Sequence, residues 1–122
     1  MNIKKRQKLL LPSLREKKRY LAFEIVSEGR IDDFHAVSSR IMHSSLSFLG
    51  ELETAKSGLI IMEDRWNRAS QRGMLKVSNK HLKGIMASIA LIDSVEGKEA
   101  MCRSLGVSGS LNKAARFVGA KI

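Results

Sequence analysis

Apolar and polar positions along this chain alternate first with the period of a strand and then with the period of a helix. Leu21, Phe23 and Ile25 occur at every second position, so they share one side of a pleated strand over residues 19–27. Gly29 marks a turn, and Asp32 or Asp33 is placed to cap a helix running to about residue 49. Phe34, Val37, Ile41 and Phe48 give that helix one apolar face, and Gly50 is its natural stop. Residues 51–58 then read as a connector. Leu59–Trp66 and Gly73–Ser78 read as two further strands, joined by the polar loop Asn67–Arg72. Asn79 is placed to cap a second helix with the stripe Leu82, Ile85, Met86, Ile89 and Ile92, and Gly97 ends the turn that follows. Ala100–Val107 reads as a fourth strand, broken by Ser108 and Gly109. Ser110 caps a short terminal helix that turns Leu111, Ala114, Ala115 and Val118 inward.

The order is βαββαβ plus one helix. Right-handed crossovers leave few ways to close it. The expected fold is therefore α+β: a ferredoxin-like sandwich with an antiparallel four-stranded sheet and an extra C-terminal helix. At 122 residues the chain is one domain, residues 1–122, large enough for a core without disulfides or metals. Residues 1–12 lack a clear period, which fits a mobile basic arm. The sandwich has one helix layer, so apolar residues left on the other sheet face need cover.

Charge narrows the class of partner. The formal net charge is +10, and it sits at the two ends. Residues 1–19 carry Lys4, Lys5, Arg6, Lys8, Arg15, Lys17, Lys18 and Arg19 against Glu16 alone. Residues 101–122 carry Arg103, Lys113, Arg116 and Lys121 with no acid. Such asymmetry points to nucleic acid or an anionic surface as partner. The run Arg15–Arg19 abuts the first strand, which would hold its cations in a defined place. Aromatic residues make up only 5% of the chain, with Tyr20 and Trp66 the candidates for isolated base stacking. Recognition of the backbone and shape of a folded RNA fits this better than reading unpaired bases.

Candidate catalytic chemistry is sparse. Cys102 is the only cysteine, which excludes an internal disulfide and suits a reducing compartment. No apolar run reaches the roughly 20 residues of a spanning helix, and Leu9–Leu11 is too short for a signal-peptide core. The expectation is a soluble, cytoplasmic protein with no membrane partner. His35 and His43 stand eight residues apart on the first helix, a poor spacing for a metal pair, and His81 suits a helix surface or cap. Asp32 and Asp33 precede a helix, where acids cap and favour its dipole. Glu63 and Asp64 are strand neighbours and point to opposite faces. No metal site, no cofactor and no catalytic residue is expected of the protein itself. A small metal-dependent ribonuclease using Asp32, Asp33 or Asp64 is the catalytic alternative. A ribosomal-type RNA-binding protein and a pure protein scaffold are the others.

The segment Leu11-Pro12-Ser13-Leu14-Arg15-Glu16-Lys17-Lys18-Arg19-Tyr20 resembles the opening signature of archaeal ribonuclease P protein component 2, of the Pop-five family. Ser13 stands where that family usually has a second proline. The similarity continues through Leu49-Gly50-Glu51-Leu52, Ser57-Gly58-Leu59 and Gly106–Ala114, almost the whole chain. The resemblance implies the same sandwich fold, RNA-recognition-like, and a place in an endoribonuclease ribonucleoprotein that removes the 5′ leader of precursor tRNA. In that family the RNA cleaves with its own Mg²⁺. The implied partners are ribonuclease P RNA, protein component 3, precursor tRNA and a second copy of the chain, in a heterotetramer. The RNA-contact candidates are Arg15, Lys17, Lys18, Arg19 and Tyr20 from the signature, then Lys113 and Arg116 from the terminal helix.

Overall fold

The computed structural model describes residues 17–119. The basic arm 1–12 and Arg15 lie outside the described residues. The elements are β1 (Lys18–Ser27), α1 (Phe34–Ser57), β2 (Ile60–Asn67), β3 (Arg72–Ser78), a 3₁₀ turn (Asn79–His81), α2 (Leu82–Ala90), β4 (Ser94–Val95), β5 (Lys98–Ser108) and α3 (Leu111–Val118). They form an antiparallel sheet in the order β2-β3-β1-β5-β4. This is the expected βαββαβ sandwich with one correction: the sheet has five strands, not four. The extra strand is two residues long, paired through Ser94↔Glu99 and Val95↔Lys98. It exists because Glu96 and Gly97 both adopt positive φ, 54° and 73°, the geometry of a tight two-residue hairpin turn. Two residues are too short to show a period.

Odd positions of β1 face the helices. Leu21, Phe23 and Ile25 are buried with Val37 and Ile41 of α1, Ile85 and Ile89 of α2, and Leu75 and Val77 of β3. Trp66 belongs to this core too: its ring stacks on Phe23 at 6.4 Å and packs against Phe34. It is 5% exposed, which removes it as a base-stacking platform. Phe48, expected on the inner face, is instead 51% exposed.

The helix stop at Gly50 is half right. Gly50 leaves helical geometry at φ 85°, ψ 169°, a region open only to glycine. The chain then resumes a helix to Ser57, and Gly58 closes it in the left-handed conformation at φ 64°. A buried hydroxyl pair, Ser45 with Thr54 at 2.8 Å, ties the two halves together across the kink. A hydrophobic pattern cannot reveal that link.

Even positions of β1 face the other way, and the chain supplies much of their cover itself. Ala22 and Met74 are buried under Ala114 and Val118 of α3, with Tyr20, Met62, Leu105, Leu111 and Ala115 around them. Ser110 caps the helix by accepting from Lys113 N. The register slips between Ala22 and Phe23, so that Leu105 bulges out of β5 and joins this outer cluster. Gly106 makes room for the helix: a Cβ there would lie 2.4 Å from the Phe117 ring.

Candidate nucleic-acid interface

The first cations of the chain that the structure describes are part of the sheet. Lys18 pairs with Ser78, Arg19 with Val77, and Tyr20 with Lys76 on one side and Ser108 on the other. Lys17 is anchored through its carbonyl, which accepts from Asn79 N at 2.7 Å. The side chains then spread apart. Lys18 runs toward the α1–β2 junction, where a Cβ on Gly58 would sit 3.1 Å from its Nζ. Arg19 runs toward the β5–α3 turn, where a Cβ on Gly109 would sit 3.1 Å from its Nη1. The run is therefore a fan of positions around one end of the sheet, not a single cluster.

Other elements bring cations to the same end. Lys76 stands beside Tyr20 on β3, Lys80 occupies the 3₁₀ turn whose first residue holds Lys17, and Lys56 lies in the last turn of α1 next to Gly58. These three escaped the sequence reading because each is isolated in the chain. Only the antiparallel return of β3 and the end of α1 bring them to β1. Lys113 and Arg116 are exposed on α3, Lys113 in its first turn near the Arg19 side and Arg116 in its last. Tyr20 is half-buried under α3, so its ring offers a partial surface at most.

His81 links the 3₁₀ turn to α1 at this end. Its Nδ1 lies 2.7 Å from Ser78 Oγ and its Nε2 lies 3.2 Å from Glu53 Oε2, with Lys56 Nζ 4.0 Å from the same carboxylate group. Glu53 is thus shared between His81 and Lys56.

Across the outer sheet face a second arrangement orders the cations. Glu24 accepts from Arg72 Nε at 2.8 Å and from Arg103 Nε at 2.7 Å, one arginine from each neighbouring strand. The hydrogen bond from Arg72, with that from Arg103 and the charges of both, holds the Glu24 carboxyl below the usual carboxylate range against the opposing effect of burial. Arg72 Nη1 also donates to the Phe117 carbonyl at 3.0 Å, tying the clamp to the end of α3.

The catalytic candidates resolve into structural roles. Asp33 caps α1 by accepting from His35 N at 2.9 Å, and Asp32 accepts from Arg30 Nε at 2.7 Å. His35 Nε2 sits 3.7 Å from Glu63, and Asp64 lies 3.8 Å from Arg65. Burial pushes the Cys102 thiol up to about 12, so it packs as a thiol rather than reacting as a thiolate. Among the described residues no three His, Cys, Asp or Glu side chains converge on a possible metal position. Also among them, no helix is long and apolar enough to cross a membrane.

The family model described as the Rpp14/Pop5 family matches residues 19–119. The chain is 32% identical over 111 residues to ribonuclease P protein component 2 of Pyrococcus furiosus, covering 91% of this chain and 90% of that one. It is 36% identical over 107 residues to the component of the same name in Methanosarcina mazei, covering 88% of each. A chain in the cryo-EM structure of yeast ribonuclease MRP superposes with a TM-score of 0.62 at 14% identity, over 80% of this chain and 77% of that one, a likeness of fold. With a family match from the first strand to the end of the last helix, this chain belongs to the Rpp14/Pop5 family.

Proposed function

We propose that this chain is a non-catalytic protein subunit of ribonuclease P. Its basic sheet end would lie on the phosphate backbone of the RNA that removes the 5′ leader from precursor tRNA. The observation that carries the reading is the anchoring of Lys18 and Arg19 in β1 and of Lys17 just before it, with Lys56, Lys76 and Lys80 delivered to the same end by three other elements. Cations fixed by a sheet meet a folded polyanion without first losing the freedom of a tail. Each phosphate they neutralise releases condensed counterion and relieves repulsion within the RNA. Bond breaking and its Mg²⁺ belong to the RNA, and the protein binds no cofactor. The setting is the cytoplasm.

Protein component 3 and a second copy of this chain, together forming a heterotetramer, are the protein partners of this reading. The exposed Phe48, Leu52 and Leu91 on the helix side, 51%, 65% and 59% exposed, fit such association better than they fit RNA. Precursor tRNA would be met only within the assembled particle.

The test is binding to ribonuclease P RNA across a salt series, followed by reconstituted cleavage at low and high Mg²⁺. Replacing Lys17, Lys18 and Arg19 with Ala should weaken binding and reduce the salt slope by about one for each phosphate no longer neutralised. Adding Lys76→Ala and Lys80→Ala should reduce it further. Cleavage at low Mg²⁺ should fall with affinity and recover at high Mg²⁺. An unchanged slope, or cleavage of precursor tRNA by the protein alone, overturns the reading. Stable capture of ribosomal RNA instead would favour the ribosomal-type alternative.

A further inference from the structure

The outer sheet face is covered over only part of its length. α3 has eight residues, about 12 Å, whereas the ten residues of β1 extend about 33 Å. Past the Glu24 clamp, Val26 and Met101 lie directly opposite each other in the β1–β5 register, 43% and 52% exposed. With Ala100 they floor a groove of about 300 Å³, and Glu28 and Glu99 stand at its rim. From Met101 onward β5 has a strand neighbour on one side only among the described residues, because β4 pairs with Lys98 and Glu99 alone.

The charge at this end is opposite to that at the start of β1. Glu28, Asp32, Asp33, Asp93, Glu96 and Glu99 are six of the chain's twelve acids, and they fall in two short segments joined by Glu28 N donating to Glu99 O. Arg30 pairs with Asp32, Arg40 of α1 pairs with Asp93 and Asp33 caps α1, so the acids at the groove itself are Glu28 and Glu99. Beside Glu28 and Glu99, an apolar side chain flanked by cations gains both burial and Coulomb attraction.

We propose that the Val26–Met101 groove docks an extended protein segment carrying apolar side chains flanked by lysine or arginine, at the sheet end remote from the basic fan. The occupant is a protein strand and not RNA. This goes beyond the ribonucleoprotein reading and does not depend on it. Another subunit that itself binds RNA would have the required chemistry.

The probe is a fluorescein-labelled peptide of alternating Lys and Ile, titrated with the full chain by polarisation. Two control peptides replace Ile by Ser or Lys by Glu. The Lys-Ile peptide should bind at least tenfold more tightly than either control. Met101→Lys and Val26→Lys should each weaken it about tenfold. Glu99→Lys, at an exposed position outside the core, should weaken it severalfold, whereas Lys76→Glu and Lys80→Glu should leave it unchanged. Equal binding of the Ser peptide would show that the groove contributes nothing, and equal binding of the Glu peptide would remove the acidic rim. Loss of affinity for ribonuclease P RNA in Met101→Lys would assign the groove to RNA. A dimer in sedimentation that Met101→Lys dissociates would assign it to a second copy of the chain. Each of these four results overturns the proposal.

Discussion

The two faces of the sheet are held by different physics. On the helix side, Leu21, Phe23, Ile25, Leu75 and Val77 meet two helices in a continuous core of large apolar side chains. On the outer side, the fully buried positions are Ala22, Met74 and Ala114, with Val118 nearly so, under a single short helix. Polar contacts add to that burial. Arg72 donates to the Phe117 carbonyl, and Ser110 caps the first turn. The comparison teaches that the helix side makes the fold, while the outer side decides which part of the sheet a partner can reach.

The comparison breaks most visibly if a core ring proves dispensable. Phe23→Ala should cost about 3–5 kcal/mol in urea unfolding, the usual loss for a buried aromatic ring. Phe117→Ala, at 43% exposure on the outer side, should cost far less. Similar losses for the two would mean that both faces carry the fold.

Gly106 sharpens the outer face. Gly106→Val drives a side chain into the Phe117 ring and should cost about 1–3 kcal/mol. The penalty should shrink when Phe117→Ala is added, and additive losses would show that the two positions do not touch.

The clamp adds a dependence on pH. Glu24 has a lowered pKa in the folded chain, against 4.5 for the free group. Its contribution is therefore complete above that free value and is lost as pH falls through the lower folded one. Glu24→Gln should cost about 1 kcal/mol at neutral pH. The melting curves of the two proteins should converge in acid, and a constant gap down to pH about 3 would show that the clamp is not electrostatic. The smallest effect on stability belongs to the basic end. Replacing Lys17, Lys18 and Arg19 with Ala should change unfolding by no more than about 0.5 kcal/mol, because Lys17 and Lys18 are exposed and Arg19 is only half-buried.

Much of this architecture was legible in the chain. The period-two run at Leu21, Phe23 and Ile25, the stripe at Ile85, Ile89 and Ile92, and the Ser110 cap each name their element and its buried side. The family signature, too, is a matter of local residues. Less legible were positions fixed by geometry across the fold. The stacking of Trp66 on Phe23, the resumed helix after Gly50 and the two-residue β4 strand have no period to announce them. Lys56, Lys76 and Lys80 gave no signal either, since a solitary lysine in sequence looks like any solvated charge.

The amino-acid order alone determined the sequence of the four long strands and three helices, the excess of positive charge at the termini and the kinship with the Pop-five proteins. Those properties follow from spacing and side-chain type. Folding decided where the charges stand: Lys18 and Arg19 reach to opposite flanks of the sheet end, pairing of β3 with β1 and the ends of α1 and the 3₁₀ turn gather distant lysines beside them, and the β1–β5 register sets Val26 against Met101 next to Glu28 and Glu99 at the far end. Spacing along a chain specifies local conformation, whereas a surface is made from residues that only closure of the sheet brings together.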